Sequence, residues 1–235
     1  MGLHHSPRII TSGLVLALDA ADINSYPGTG TTWYNLAGDV DATLANTPTY
    51  TTSHPKTFTF DGVNERASIA GIAVSDWITP FSMEVWFNVP TGATWTNGYR
   101  STIFGQGGSY AGTYGIVKHP TEGQVTFYIR GDNGGIGANI TGLSRDTWHQ
   151  VVGVWNGTNC YIYHNGELVT GPTGSARTGV PDTTNLFVGI ARAYSGATGA
   201  YFEGDVSIAK YYNSKALTSD EVLQNYNATK TRFGL

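Results

Sequence analysis

The sequence is poor in charge, in cysteine and in long apolar runs. Charged residues fill 13% of its 235 positions, about half the share usual in a soluble domain. With Lys+Arg 13 against Asp+Glu 17, the net charge is −4. Such a chain has no positive field to hold nucleic acid or an anionic membrane. A single cysteine, Cys160, excludes an intrachain disulfide. It stands in the β-rich run CYIYH (160–164) and reads as a buried, inert thiol. No apolar stretch approaches the roughly 20 residues of a membrane-spanning helix. The opening MGLHHSPRI lacks the apolar centre of a secretion signal, so synthesis in a cytoplasm without a signal peptide is expected.

Glycine is what the chain has in excess, with 31 residues. Together with scarce Lys and Glu it points to many turns and few helices. The clearest stretch is TWHQVVGVWNGTNCYIYHNGELVT (147–170), which reads as three successive antiparallel strands. Trp148, Val151, Val152, Val154 and Trp155 make the first apolar on both faces, as for a strand in the middle of a two-layer structure. Asn156-Gly157 and Asn165-Gly166 supply the turns, because Asn-Gly tolerates the positive φ of a type I′ hairpin.

The rest reads as strands added to this meander. The apolar run at 13–19 has strand length, and Phe58 and Phe60 share a face before a turn at Asp61-Gly62. In 81–89, Phe81, Met83, Val85, Phe87 and Val89 share one face and Ser82, Glu84, Trp86 and Asn88 the other. Alternation also places Val125, Phe127 and Ile129 inward, as it does Leu186, Val188 and Ile190, and Phe202, Val206 and Ile208. Residues 20–56, broken by Pro27, Gly28, Gly30, Pro48 and Pro55, read as irregular. Residues 1–12 read as a polar arm, disordered or docked on a neighbouring subunit. One helix is expected, opened by the capping box Thr218-Ser-Asp-Glu221 and its staple Leu217/Val222, with Val222, Leu223 and Tyr226 on its apolar face. The expected class is a single all-β domain over 13–235, a two-sheet antiparallel sandwich with one short C-terminal helix.

Catalytic patterns are missing. There is no G-x-S-x-G elbow, no H-E-x-x-H and no phosphate-binding glycine loop. Glycoside hydrolysis needs two carboxyl groups, and the nearest pattern is Glu203-x-Asp205, expected on an outward, solvated face. His149 and His164 read as hydrogen-bonded structural residues. Sugar binding needs aromatic faces to stack on C–H surfaces. The loop aromatics Trp33, Tyr34, Trp95, Tyr99, Tyr110, Tyr114 and Tyr194 are the candidates, with packing at the sandwich ends or a subunit interface as the alternative.

The series FTFDGVNERASI (58–69), FSMEVWFNV (81–89), TWHQVVGVWNGTNCYIYHNGELV (147–169), NLFVGIA (185–191) and FEGDVSIAKYYNSKALTSDEV (202–222) resembles the laminin-G-like branch of the concanavalin A-like lectin/glucanase superfamily. The resemblance implies a jelly roll with one sheet curved to hold a ligand. Relatives often bind calcium, and their last long strand often reads G-x-I-D-E. Here Ser207 and Ile208 replace the acidic pair. No metal is therefore favoured, with Asp61, Glu203 and Asp205 as the remaining ligand candidates. Glucanases of the superfamily carry an E-x-D-x-E run that this chain lacks, so a non-enzyme is expected.

The two ends, HSPRIITSGLVLALDAADINSYPGTGTTWYNLAG and EVLQNYNATKTRFGL, resemble structural proteins of tailed phages, including those of marine cyanobacteria. That resemblance implies a virion-surface protein, a capsid decoration or tail-associated adhesion module. Its expected partners are other virion proteins and further copies of itself, with host-surface glycans as ligands. A dedicated lectin domain is the alternative.

Overall fold

The computed structural model describes residues 7–72, 76–95, 100–106, 111–181, 185–191 and 201–235, with Ile190 and Ala191 described in backbone only. In chain order the strands are β1 (Leu14–Asp19), β2 (Thr32–Trp33), β3 (Ala42–Ala45), β4 (Thr49–Thr51), β5 (Thr57–Asp61), β6 (Arg66–Ala70), β7 (Phe81–Asn88) and β8 (Ser101–Gly105). Then come β9 (Tyr114–Lys118), β10 (Val125–Gly131), β11 (Gly134–Ile140), β12 (His149–Trp155), β13 (Cys160–His164), β14 (Glu167–Thr173), β15 (Asn185–Ala191) and β16 (Glu203–Asn213). Helix α1 (Ser219–Thr229) and a 3₁₀ turn (Lys230–Phe233) close the chain.

The strands form two antiparallel sheets. The first runs β14-β13-β12-β7-β16-β5-β4, with β1 also pairing on β16, and the second runs β11-β10-β9-β8-β15-β6-β3-β2. The long strand β16 explains how two strands share one of its edges. Its residues 203–206 pair with β5 and its residues 208–212 with β1. Alternation sets the core: Met83, Val85, Phe87 and Val151 of the first sheet meet Phe104, Ile116, Phe127 and Val188 of the second. The sheets touch most closely at Gly153, where an added Cβ would run into the Phe127 ring. The Asn165-Gly166 turn has φ of 49° and 85°, as a type I′ hairpin requires. Asn156-Gly157 instead opens a longer loop, in which the Asn156 side chain accepts from the amides of Thr158 and Asn159.

Four expectations need correction. Ile208, expected inward with Val206, lies on the outer face against Trp86 and Phe233, because a bulge between Val206 and Ile208 shifts the register. Residues 20–56 carry three short strands, β2 to β4, which had too few residues to show a period. They are held by pairing of β3 with β6, β4 with β5 and β2 with β3 and by packing of Tyr26, Tyr50 and Trp33 on Phe58, with ring centroids 4.7–5.3 Å apart. The described part of the arm, from Pro7 onward, docks on its own chain: Gln224 donates to the Arg8 carbonyl, and Ile10 packs under α1. The capping box of α1 is present. The inward positions, however, are Val222, Asn225 and Thr229, while Leu223 is 43% exposed.

That buried asparagine belongs to a polar network on the outer face of the first sheet. The Glu84 carboxylate is fully buried. It accepts from Gln150 Nε2 at 3.1 Å, Lys210 Nζ at 3.0 Å and Asn225 Nδ2 at 2.8 Å. Asn225 Nδ2 also donates to the Tyr212 hydroxyl, and its Oδ1 accepts from the Ile10 amide. Tyr212 in turn donates to the Ile10 carbonyl. Burial, with the Glu84 charge adding to it, holds the Tyr212 hydroxyl well above the usual tyrosine range. Beside the network Phe233 stacks on Trp86, centroids 4.1 Å apart. Asn225→Ala leaves a buried carboxylate short of a donor, removes the donor to the Tyr212 hydroxyl and leaves the Ile10 amide without its acceptor. A loss of about 3 kcal/mol is expected, read as a lower urea midpoint, whereas Leu223→Ala should cost less than about 1 kcal/mol.

His149 and His164 form a second interior pair, Nδ1 to Nε2 at 3.0 Å. His149 Nε2 lies 2.9 Å from the Ser144 carbonyl, which only accepts. In the neutral pair His149 therefore donates through Nε2 and accepts through Nδ1 from His164. A proton on His149 Nδ1 would set two N–H groups against each other, and one on His164 Nδ1 would place a charge beside the second ring in a partly desolvated site. Burial, and then the neighbouring imidazole, pulls His164 down to about 4; burial lowers His149 as well. The unfolded chain takes up protons near pH 6.5 where the folded chain does not, so stability is complete above that pH and is lost as pH falls toward 4. His164→Gln should flatten the dependence of the melting temperature on pH between 6.5 and 4. An unchanged slope would remove the pair as its cause.

Candidate functional site

The two sheets differ in what covers their outer faces. On the first, Trp86, Ile208, Val152 and Tyr163 lie beneath α1 and the 3₁₀ turn. Among the described residues no helix packs on the second. There, Ile116, Phe127 and Ile129 face the core, so Val117, Thr126, Tyr128 and Arg130 face outward. Tyr128 is half-buried. Its cross-strand partners on both sides are glycines, Gly115 and Gly137. An added Cβ at Gly135 would strike the Tyr128 hydroxyl, so that ring end lies flat along β11. The guanidinium of Arg100, the residue before β8, lies 5.7 Å from the ring centroid, a cation–π position. His119 sits below the usual imidazole range through burial and then through the Arg100 charge. Half-buried Phe187 of β15 and exposed Asn139 of β11, whose Oδ1 accepts from the buried Thr126 hydroxyl at 2.7 Å, extend the same surface.

Of the aromatic candidates, Tyr99, Tyr110 and Tyr194 lie outside the described residues. Trp33, Trp95 and Tyr114 are buried, so their rings do not reach a ligand from solvent. Trp33 packs on Phe58, and Tyr114 is an inward residue of β9 against Phe81, 4.8 Å between centroids. Trp95 is anchored by an ionic clamp. Lys118 donates to the Thr94 and Trp95 carbonyls at 2.9 and 2.6 Å. Arg145, paired with Glu122 at 2.8 Å, donates to the Pro90 and Ala93 carbonyls. Both cations lie about 6 Å from the Trp95 ring. Burial pulls Lys118 down to about 8, against the opposing charge of Glu203. Only Tyr34 among the described candidates is well exposed, at 44%. It follows β2 at the edge of the second sheet remote from Tyr128. Tyr128, Arg130 and Arg100 were not among the candidates, although the alternation that sends Val125, Phe127 and Ile129 inward also sends Tyr128 and Arg130 out.

The acidic candidates sit on the first sheet, where Asp61 and Glu203 are cross-strand partners. Asp61 Oδ1 accepts from the amides of Val63, Asn64 and Glu65, closing a turn, and these bonds hold its carboxyl below the usual range despite some burial. Glu203 accepts from the Thr94 amide, and Asp205 from the Thr59 hydroxyl and the Asn88 amide. Ser207 is buried and donates to the Lys56 carbonyl, while Ile208 packs with Trp86. Such carboxylates, already committed to protein donors, do not fit the six to eight oxygens of a calcium site. Among the described residues no three His, Cys, Asp or Glu side chains gather as ligands. Cys160 is buried, its thiol raised by desolvation.

Comparison with known proteins agrees with this architecture. Residues 61–223 match the laminin G model described as the concanavalin A-like lectin/glucanases superfamily. A search of curated proteins finds no match. The fold is similar to Trypanosoma rangeli sialidase in complex with the inhibitor DANA, with a TM-score of 0.67 and 18% identity over 95% of this chain and 34% of that one. It is also similar to the botulinum neurotoxin serotype D binding domain, with a TM-score of 0.70 and 13% identity over 94% of this chain and 52% of that one. The chain spans about a third of the sialidase and about half of the toxin fragment, and the likeness is one of fold. Two antiparallel sheets with this core, matched by the family model over most of their length, mean that the chain belongs to the concanavalin A-like lectin/glucanases superfamily.

Proposed function

We propose that this chain is a non-enzymatic binding module that holds glycans on the outer face of its second sheet. In this reading it is carried on a tailed-phage particle as a capsid decoration or tail-associated adhesion protein. The observation that carries the binding role is the Tyr128 surface: an aromatic ring flanked by glycines on a sheet face over which no helix of the described residues lies. A ring in that position offers its face to sugar C–H groups, while Asn139 and the guanidiniums supply hydrogen bonds to hydroxyls. The two neighbouring structures are named as a sialidase and as a toxin binding domain, and the second is the closer parallel in role.

Hydrolysis is disfavoured on chemical grounds. The usual route needs two carboxyl groups about the scissile bond, and no strand of the second sheet contains Asp or Glu. Glu203 and Asp205 lie on the other sheet and are bonded to protein donors. The virion setting is supported by the terminal segments that resemble phage structural proteins.

Two measurements test the reading. On a glycan array the protein should bind, and Tyr128→Ala should lose most of that binding with its circular dichroism unchanged. Equal binding by the variant would move the site elsewhere. Immunogold labelling of purified particles should place the chain on the head or on the tail, the latter favouring receptor recognition. Unlabelled particles would sink the virion role and leave a free-standing lectin.

A further inference from the structure

We infer that the saccharide taken by this face is anionic, carrying carboxylate or sulfate groups that Arg100 and Arg130 hold on either side of Tyr128. The inference rests on the glycan-binding reading and adds the chemical class of the ligand.

It starts from how charge is distributed between the sheets. The chain is acidic overall, at −4. Yet every carboxylate that lies in a strand, namely Asp19, Asp61, Glu84, Glu167, Glu203 and Asp205, belongs to the first sheet. The strands of the second sheet contain Arg66, Lys118 and Arg130 and no acid at all. Lys118 is turned inward and spends its donors on the Thr94 and Trp95 carbonyls, and Arg66 donates to the Asn64 carbonyl. Arg130 projects from the outer face two residues beyond Tyr128, and Arg100 reaches the same ring from the start of β8.

Neither arginine is neutralised from within. The ion pairs among the described residues are Arg145–Glu122, Lys210–Glu84, Lys215–Glu221 and Arg232–Asp19, and Arg100 and Arg130 enter none of them. Both are half-buried. A guanidinium partly withdrawn from water and lacking a carboxylate is poised for an anion, because its planar fork matches carboxylate and sulfonate oxygens two at a time. Contact with the Tyr128 ring restricts where the Arg100 fork can lie, so less freedom is lost when an anion arrives. The flanking glycines Gly115 and Gly137 place no side chain between ring and ligand. A sugar lying on Tyr128 thus has its acidic substituents within reach of one arginine or the other.

The test uses three polymers, namely polygalacturonate for carboxylate, dextran sulfate for sulfate and dextran as the neutral reference, with affinity measured by titration calorimetry. The protein should bind at least one acidic polymer about tenfold or more tightly than dextran, and which one identifies the acidic group. Arg100→Gln and Arg130→Gln should each weaken that binding by about tenfold. Arg8→Gln, which removes the same charge from the opposite side of the molecule, should leave it unchanged. An equal loss in Arg8→Gln would mean unspecific attraction and overturn the inference. If dextran binds as tightly as the acidic polymers, and Tyr128→Ala abolishes binding while the arginine variants do not, the glycan site stands and its anionic class falls. If no polymer binds and a glycan array is blank, the glycan-binding reading falls with it.

Discussion

The Glu84 carboxylate lies at the middle of the first sheet with no path to water, and the covered side of the molecule is arranged around satisfying it. An isolated buried carboxylate costs several kcal/mol. Three donors meet it here, one from a neighbouring strand, one from β16 and one from the helix. The helix contribution, Asn225, also ties in the backbone of Ile10 and the hydroxyl of Tyr212. One asparagine therefore couples β7, β16, the N-terminal segment and α1. Apolar packing alone would tolerate a helix sliding on this face, whereas these directed bonds hold one position. The bidentate Arg232–Asp19 pair, at 2.6 and 2.8 Å, does the same for the last turn.

Much of the sandwich could be read from alternation. The meander from β12 to β14 and the inward faces of β7 and β10 were legible because strand side chains alternate, whereas on β16 a bulge after Val206 breaks the alternation and turns Ile208 to the outer face. Alternation does not tell what covers the second face of a strand. Ser82, Glu84 and Trp86 were correctly grouped, but their cover comes from residues more than a hundred positions away in the sequence, and nothing local announces it. For the same reason Asn225 was missed and Leu223 was misplaced on α1. The small strands β2 to β4 escaped because two to four residues carry no period; partners in β6 and β5 define β3 and β4, and β3 in turn defines β2.

The site was less legible than the fold. Loop aromatics were favoured because loops are exposed as a rule. Trp95 breaks that rule because Lys118 and Arg145 bind the carbonyls around it and draw it inward. Tyr128 lies in a regular strand, where an aromatic residue is usually assigned to packing. Its candidacy as a contact surface emerges only when its neighbours across β9 and β11 are known to be glycines. The segregation of carboxylates to one sheet is likewise written in the sequence, but it has meaning only after the strands have been sorted into sheets.

Residues 8–12 and 219–233 pack together against the outer face of the first sheet. A tether entering at residue 8 or leaving after residue 233 therefore meets the molecule from that side, opposite the face that carries Tyr128. Copies fixed to a common support by such tethers would present their second sheets in one direction. Single-site affinities in the millimolar range, too weak to matter for a free molecule, would then combine into firm adhesion whenever the spacing of the copies matches that of the ligand's repeats.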